Sequence, residues 1–153
     1  MQITSLCPAL ARTEFQVFEH ELGAELPKDY LDFLLIHNGA KVKPNCFVWS
    51  DHKGHKSHNI VRYFFGLCDL EWCSLRGYQK DYRSRMPANL LPIGTDEDSS
   101  NVCLSISGND YGKVYFWDRH FEVLDGIPDY SNLFFLADSF IDFLNSLKKC
   151  EDL

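Results

Sequence analysis

No run in the chain approaches the roughly 20 consecutive apolar residues that span a bilayer, so no transmembrane helix is expected. The opening, MQITSLCPALARTEF, lacks a basic stretch followed by an apolar one. No secretory leader is therefore expected, and the expected location is cytoplasmic. A basic excess is missing too: 15 Lys and Arg stand against 22 Asp and Glu, a net charge of −7. A field of that sign repels nucleic acid and anionic membranes and attracts basic partners. Neither nucleic acid nor a membrane is expected as a partner. Also lacking are a GxSxG elbow, a Walker A loop, a GxGxxG fingerprint and an HExxH helix, the patterns that would nominate common hydrolases and nucleotide enzymes. Internal repeats, long linkers and low-complexity segments are absent.

What is present is a chain of 153 residues that is 45% hydrophobic. That suffices for one domain over residues 1–153 with a core that needs no disulfide staples. Six cysteines, Cys7, Cys46, Cys68, Cys73, Cys103 and Cys150, invite a disulfide framework by their even count. Without an export signal, and with ample core, they are expected as free and mostly buried thiols. The negative charge is unevenly placed. From Pro87 onward there are twelve acids and four bases, whereas the preceding residues are nearly balanced. Such segregation suits solubility alone or a face for a basic partner.

Thr13 is expected to cap a first helix, with Phe15, Phe18 and Leu22 on one side and Gly23 as its stop. Pro27 opens a second, where a missing N–H costs little. Its apolar face holds Tyr30, Phe33, Leu34 and His37, and Asn38-Gly39 ends it. CFVW from Cys46 and IVRYFFGL from Ile60 read as strands, separated by a polar loop, SDHKGHKSHN. A third helix is expected over Asp69 to Arg83. Then come a strand from Leu90 to Gly94, the alternating strand NVCLSIS, and KVYFWD as its hairpin partner. In NVCLSIS the alternation predicts one buried and one open face. In KVYFWD both faces are apolar, so a helix or a partner should cover the second. Leu133 to Leu136 reads as a last strand, and a helix capped by Asp138 or Ser139 closes the chain. The expected fold class is α+β: helices packed on a mainly antiparallel sheet, in a single domain.

Several residue groups could carry chemistry. His52, His55 and His58 recur every third residue near Cys46 and Asp51, all metal-ligand types. The spacing fits no standard zinc pattern, and Lys53 and Lys56 oppose a cation, so a solvated loop is expected. Cys68 and Cys73 have no second pair to complete a ribbon. DEDSSN resembles the start of a calcium loop, but Asn101 stands where its glycine belongs and Ser107 where its glutamate belongs. Paired carboxylates could serve a glycosidase, but that needs a cleft and one raised pKa. Nothing nominates a base for a Cys103 nucleophile. The expectation is therefore no catalytic residue, no metal and no cofactor.

Four motifs in order resemble the SUKH superfamily, of the Smi/Knr type. LGAELPKDYLDFLLIHNGA is similar to its opening through Leu22, Gly23, Leu26, Pro27, Tyr30, Phe33, Leu34, Asn38 and Gly39. IVRYFFGL resembles its aromatic strand ending in Phe-Gly-Leu. LLPIGTDEDSSNVCLSISGNDYGKVYFWDRH resembles its central block, through Pro92, Ile93, Gly94 and Asp96, then Asn101 and Leu104, then Gly108, Gly112, Val114, Trp117 and Asp118. ADSFIDFLNSL resembles its closing helix. Together they run from about Phe15 to Leu147. The DEDS run is more acidic than the usual loop, and the His-rich loop is not a mark of the family.

The resemblance implies a binding module without catalysis. Bacterial members are typically immunity proteins that bind and neutralise a polymorphic toxin, often a basic nuclease or deaminase. Fungal members resemble regulators of cell-wall synthesis. The first expectation is thus a protein toxin partner met by Asp96, Glu97, Asp98, Asp110 and Asp118, with Tyr111 as an aromatic anchor. Charge complementarity would speed that encounter. Trp117 is a further aromatic candidate, though core packing is its expected role. The alternative is a regulatory scaffold module in cell-wall synthesis or signalling. A metal-dependent enzyme built on the His-rich loop is a third reading.

Overall fold

The computed structural model describes residues 1–153. In chain order the elements are β1 (Gln2–Ser5), α1 (Arg12–Leu22), α2 (Lys28–Ile36), β2 (Ala40–Lys43), β3 (Cys46–Ser50), β4 (Lys56–Ile60) and β5 (Tyr63–Phe64). There follow α3 (Leu75–Tyr82), β6 (Leu90–Thr95), β7 (Asn101–Ser105), β8 (Val114–Trp117), β9 (Leu133–Ala137) and α4 (Phe140–Ser146). Seven strands form one sheet in the order β1-β2-β5-β6-β7-β8-β9, and β3 and β4 form a separate hairpin. Every strand pair is antiparallel. The α+β expectation is met.

Helix α1 starts earlier than a Thr13 cap would place it. Ala11 holds the cap position, and its N–H donates to Glu14 Oε2 at 3.1 Å, which is the backbone half of a capping box. Gly23, at φ 68°, ends the helix in the left-handed conformation expected of it. Phe15 and Phe18 point inward from α1, as do Tyr30, Leu31, Phe33 and Leu34 from α2 and Phe140, Phe143 and Leu144 from α4. These meet Leu91, Ile93, Val102, Leu104, Val114, Phe116 and Phe134 on one face of the sheet. Phe140 lies edge-on to Tyr30, Phe33 and Phe64 with ring centroids 4.9–5.6 Å apart, a preferred aromatic geometry. The β3–β4 hairpin folds over the same face, where Trp49 packs on Phe116 and Phe134 at 5.1 and 4.8 Å.

The opposite face is covered as well, which corrects the expectation of an open face on NVCLSIS. Cys103 and Ser105 are fully buried. Met86, Leu90, Cys103, Trp117 and Leu133 form a second, smaller cluster beneath Tyr82 and Tyr115. The covering element is α3 with the segment that follows it. Tyr82 stands edge-on to Trp117 at 5.4 Å, and the Arg85 guanidinium lies 4.4 Å from the Tyr82 ring centre. Trp117 is therefore core, and the second apolar face of KVYFWD has an internal partner.

Other expectations need adjustment. The polar loop is a turn followed by β4, whose side chains are exposed or half-buried; cross-strand pairing with β3 supplies the order that its composition hides. IVRYFFGL divides between the end of β4 and β5. Helix α3 is shorter than expected because Ser74 Oγ accepts from the Gly77 N–H at 3.0 Å and starts the helix there. A single 3-10 turn, Glu71–Cys73, precedes it. Finally, not all six thiols are free: Cys46 and Cys150 form a disulfide across 104 positions. Reciprocal backbone bonds between Cys46 and Lys148, at 3.0 and 2.9 Å, bring the chain end beside β3. Pairing over such a distance leaves no local sequence signal. No helix is long and apolar enough to cross a membrane.

Candidate functional site

The six expected contact residues do not converge. Asp96, Glu97, Asp98 and Asp118 lie at one end of strands β6, β7 and β8, whereas Asp110 and Tyr111 belong to the β7–β8 connection at the other end. The five residues of β7 hold the two groups apart by about 14 Å, at 3.4 Å per residue.

Asp96 is buried and faces inward. Its Oδ1 accepts the N–H groups of Asp98 and Ser100 at 2.8 and 2.9 Å. Its Oδ2 accepts from Asn59 Nδ2 at 3.0 Å, and Asn59 Oδ1 accepts from Trp49 Nε1 at 2.8 Å. The residue thus ties the β6–β7 loop to the β3–β4 hairpin. Its oxygens are surrounded by donors, a polarity opposite to that of a calcium site. Asp118 is also buried; its Oδ1 accepts from the His120 N–H at 3.0 Å and starts the turn Arg119–Phe121. Glu97 and Asp98 face solvent. Asp98 contacts His120 Nε2 and lies 3.8 Å from Arg119 Nη2, so part of its charge is answered locally.

Asp110 is half-buried and is a hub of four donors. Ser105 Oγ and Asn89 Nδ2 donate to Oδ1 at 2.7 and 3.2 Å, and the Tyr115 and Tyr130 hydroxyls donate to Oδ2 at 2.9 and 2.7 Å. Burial alone would raise its pKa, but the bonds from Tyr130, Ser105 and Tyr115 outweigh burial and hold it below the ordinary carboxylate value. Burial raises the Tyr115 and Tyr130 phenols, so both remain protonated donors at neutral pH. The bonds of the cluster are made within it; it fastens the β7–β8 connection to the segments that lead into β6 and β9. Tyr111 is exposed along its ring while its hydroxyl donates to Glu25 O at 2.9 Å.

The His-rich segment forms no ligand set. His52 Nε2 pairs with Ser131 O at 3.0 Å and its ring packs on Phe134 at 4.8 Å. His55 Nδ1 pairs with Asp51 Oδ2 at 3.1 Å, and His58 stands apart on β4.

A surface that sequence reasoning missed lies on the β8–β9 connection, residues 118–132. Phe121, Leu124 and Ile127 are 68, 83 and 89% exposed there, and Tyr130 is 39% exposed. Tyr130 meets Tyr115 at 5.5 Å, and Tyr115 meets Phe135 of β9 at 6.3 Å; Phe135 is itself 52% exposed. Acids Asp125 and Asp129 are exposed on the same connection, and Glu122 is clamped by Arg85 at 2.7 and 2.8 Å. Isolated exposed apolar residues are ordinary; here three stand on one connection that also carries Tyr130 of a half-open aromatic group. The signal available in sequence was FEVLDGIPDY, whose apolar residues fit neither helical nor strand spacing.

Comparison with known proteins bears out the family resemblance. The chain is 28% identical, over an alignment 150 positions long that covers 88% of it and 72% of the relative, to the SPbeta prophage-derived uncharacterized protein YokK of Bacillus subtilis (strain 168). Residues 10–146 match the SMI1 / KNR4 family (SUKH-1), and the chain belongs to that family.

Proposed function

We propose that this chain is a non-catalytic protein-binding module serving as an immunity protein: it binds a toxin domain and blocks it. The observation that carries the proposal is the β8–β9 connection, which presents Phe121, Leu124 and Ile127 to solvent among exposed acids. Exposed apolar and aromatic anchors supply most of the affinity of a protein interface, and surrounding charge steers the encounter. Family membership supports a protein toxin as partner, and the prophage origin of the relative fits a module carried for competition between cells. A basic toxin, such as a nuclease or deaminase, suits the acids gathered after Pro87. Of the acids named from sequence, Glu97 and Asp98 remain as rim contacts, with Tyr111 as a separate contact at the far end. Asp96, Asp110 and Asp118 hold the loops that shape the surface. The encounter belongs in the cytoplasm on this reading.

Affinity capture from the native host, followed by mass spectrometry and a toxicity-rescue assay, tests the proposal. Recovery of a toxin domain whose lethality this chain suppresses is the expected result. Recovery of cell-wall or signalling components, with slow growth on deletion in pure culture, would refute it in favour of a regulatory scaffold.

A further inference from the structure

Three of the four free thiols meet at one point. Cys7 follows β1, Cys68 follows β5, and Cys73 closes the 3-10 turn before α3. Cys73 Sγ lies 3.8 Å from Cys7 Sγ and 3.7 Å from Cys68 Sγ, and all three sulfurs fall within 4.8 Å of one another. A tetrahedral ion with metal–sulfur bonds of about 2.3 Å holds its sulfurs about 3.8 Å apart. Two edges of the triangle already have that length.

The fold holds these segments in place. Asn38 is buried, and its side chain makes three bonds. Nδ2 donates to Pro8 O at 2.8 Å and to Leu67 O at 2.9 Å, while Oδ1 accepts from the Leu67 N–H at 2.8 Å. It therefore pins the neighbours of Cys7 and Cys68 to each other. The Cys7 N–H donates to Asn38 O at 3.0 Å, and the Gly66 N–H donates to Cys73 O at 2.9 Å. At Gly66 the backbones run so close that an added Cβ would sit 2.6 Å from Gly39 N. Cys7 and Cys73 are buried, and Cys68 is half-buried and lines a cleft of about 460 Å³ with Leu10, Glu14 and Arg76. An ion can thus enter beside Cys68 and find two further sulfurs beneath it.

We infer that Cys7, Cys68 and Cys73 form a three-thiolate site for a thiophilic d10 cation, Zn(II), whose fourth ligand is water or a group delivered through the cleft. Thiolate donors select such ions over hard cations. Burial pushes the Cys7 and Cys73 thiols up, the latter to about 11, so both carry protons at neutral pH. Each proton is released to solvent as its sulfur binds the ion, with no change in oxidation state. Uptake then expels at least two protons per ion. The site would fasten the β1–α1 segment to the start of α3.

The test uses the full chain with the Cys46–Cys150 bond intact and the other thiols reduced, titrated with Zn(II) against a chromophoric chelator. One ion per chain is expected, with proton release, a higher Tm, and protection of the half-buried Cys68 thiol from alkylation. Co(II) in place of Zn(II) should show a thiolate charge-transfer band. C68S, at the half-buried position, should weaken uptake at least tenfold while retaining the fold, whereas H55A should leave uptake unchanged. A wild-type chain that takes up no stoichiometric ion would overturn the inference. So would uptake that survives C68S, fails with H55A, or gives way to a Cys68–Cys73 disulfide.

Discussion

Replacing Asp96 by Ala removes the acceptor of three bonds while leaving the donors in place. The Ser100 N–H is buried, and Asn59 Nδ2 is half-buried on β4. A hydrogen bond to a charged group contributes about 1.5–3 kcal/mol, and a stranded buried donor costs about 1–3. Since the three bonds share one carboxylate and do not add fully, the expected loss is about 3 kcal/mol. For a domain of this size that corresponds to a fall in Tm of about 6–12 °C. D96N sharpens the argument. It turns an NH2 toward Asn59 Nδ2, and Asn59 cannot rotate to accept it without giving up the Trp49 indole bond at 2.8 Å. D96N should therefore lose about 1–2 kcal/mol, while E97A, one residue away and exposed, should stay within about 0.5 kcal/mol of wild type. Urea denaturation at neutral pH compares the three. If D96A matched wild type in stability and lost only partner binding, the loop-organising role would be refuted and Asp96 would return to the contact surface.

L124D and I127D, at side chains 83 and 89% exposed, should leave Tm within about 2 °C of wild type yet weaken toxin binding at least tenfold in a titration; unchanged affinity would remove the β8–β9 connection from the interface. The Asp110 carboxyl has its folded pKa lowered, below an unfolded value of about 3.9. Its stabilisation is thus present above that value and is lost as pH falls through the folded pKa. Denaturation from pH 6 to about pH 2 should show the gap between wild type and D110N closing below about pH 4; a constant gap would argue against the hub. C150S opens a loop of 104 positions, worth at most about 4–5 kcal/mol by chain entropy. Wild type should lose stability when reduced while C150S does not respond, and equal stability of the two in oxidising buffer would refute the pairing.

The elements legible in sequence were those with strong period or strong caps. Gly23, Pro27 and Ser139 marked helix boundaries, and the alternation of Val114 and Phe116 against Tyr115 and Trp117 marked a strand with two apolar faces. Short strands β1 and β2 escaped, because four residues with one or two inward side chains carry too little pattern. Strand β4 escaped because its composition is that of a loop. For the site, the acidic residues were visible but their directions were not. Whether a loop carboxylate turns out to a partner or in to backbone N–H groups depends on donors from other segments, such as Asn59 for Asp96 and Tyr130 for Asp110.

By itself, then, the chain's order of residues determined the α+β class, the family, and the separation of an acidic second part from a balanced first part. The family rests on resemblance through four motifs standing in order, and the class and charge separation on local period, turn chemistry and composition; none of these needs knowledge of distant neighbours. Only the tertiary structure decided that Asp96 and Asp118 face inward, that Cys46 meets Cys150, and that Cys7, Cys68 and Cys73 share a corner. Each of these depends on contact between residues far apart in the chain, and such contact is set by packing and backbone pairing rather than by the spacing of letters.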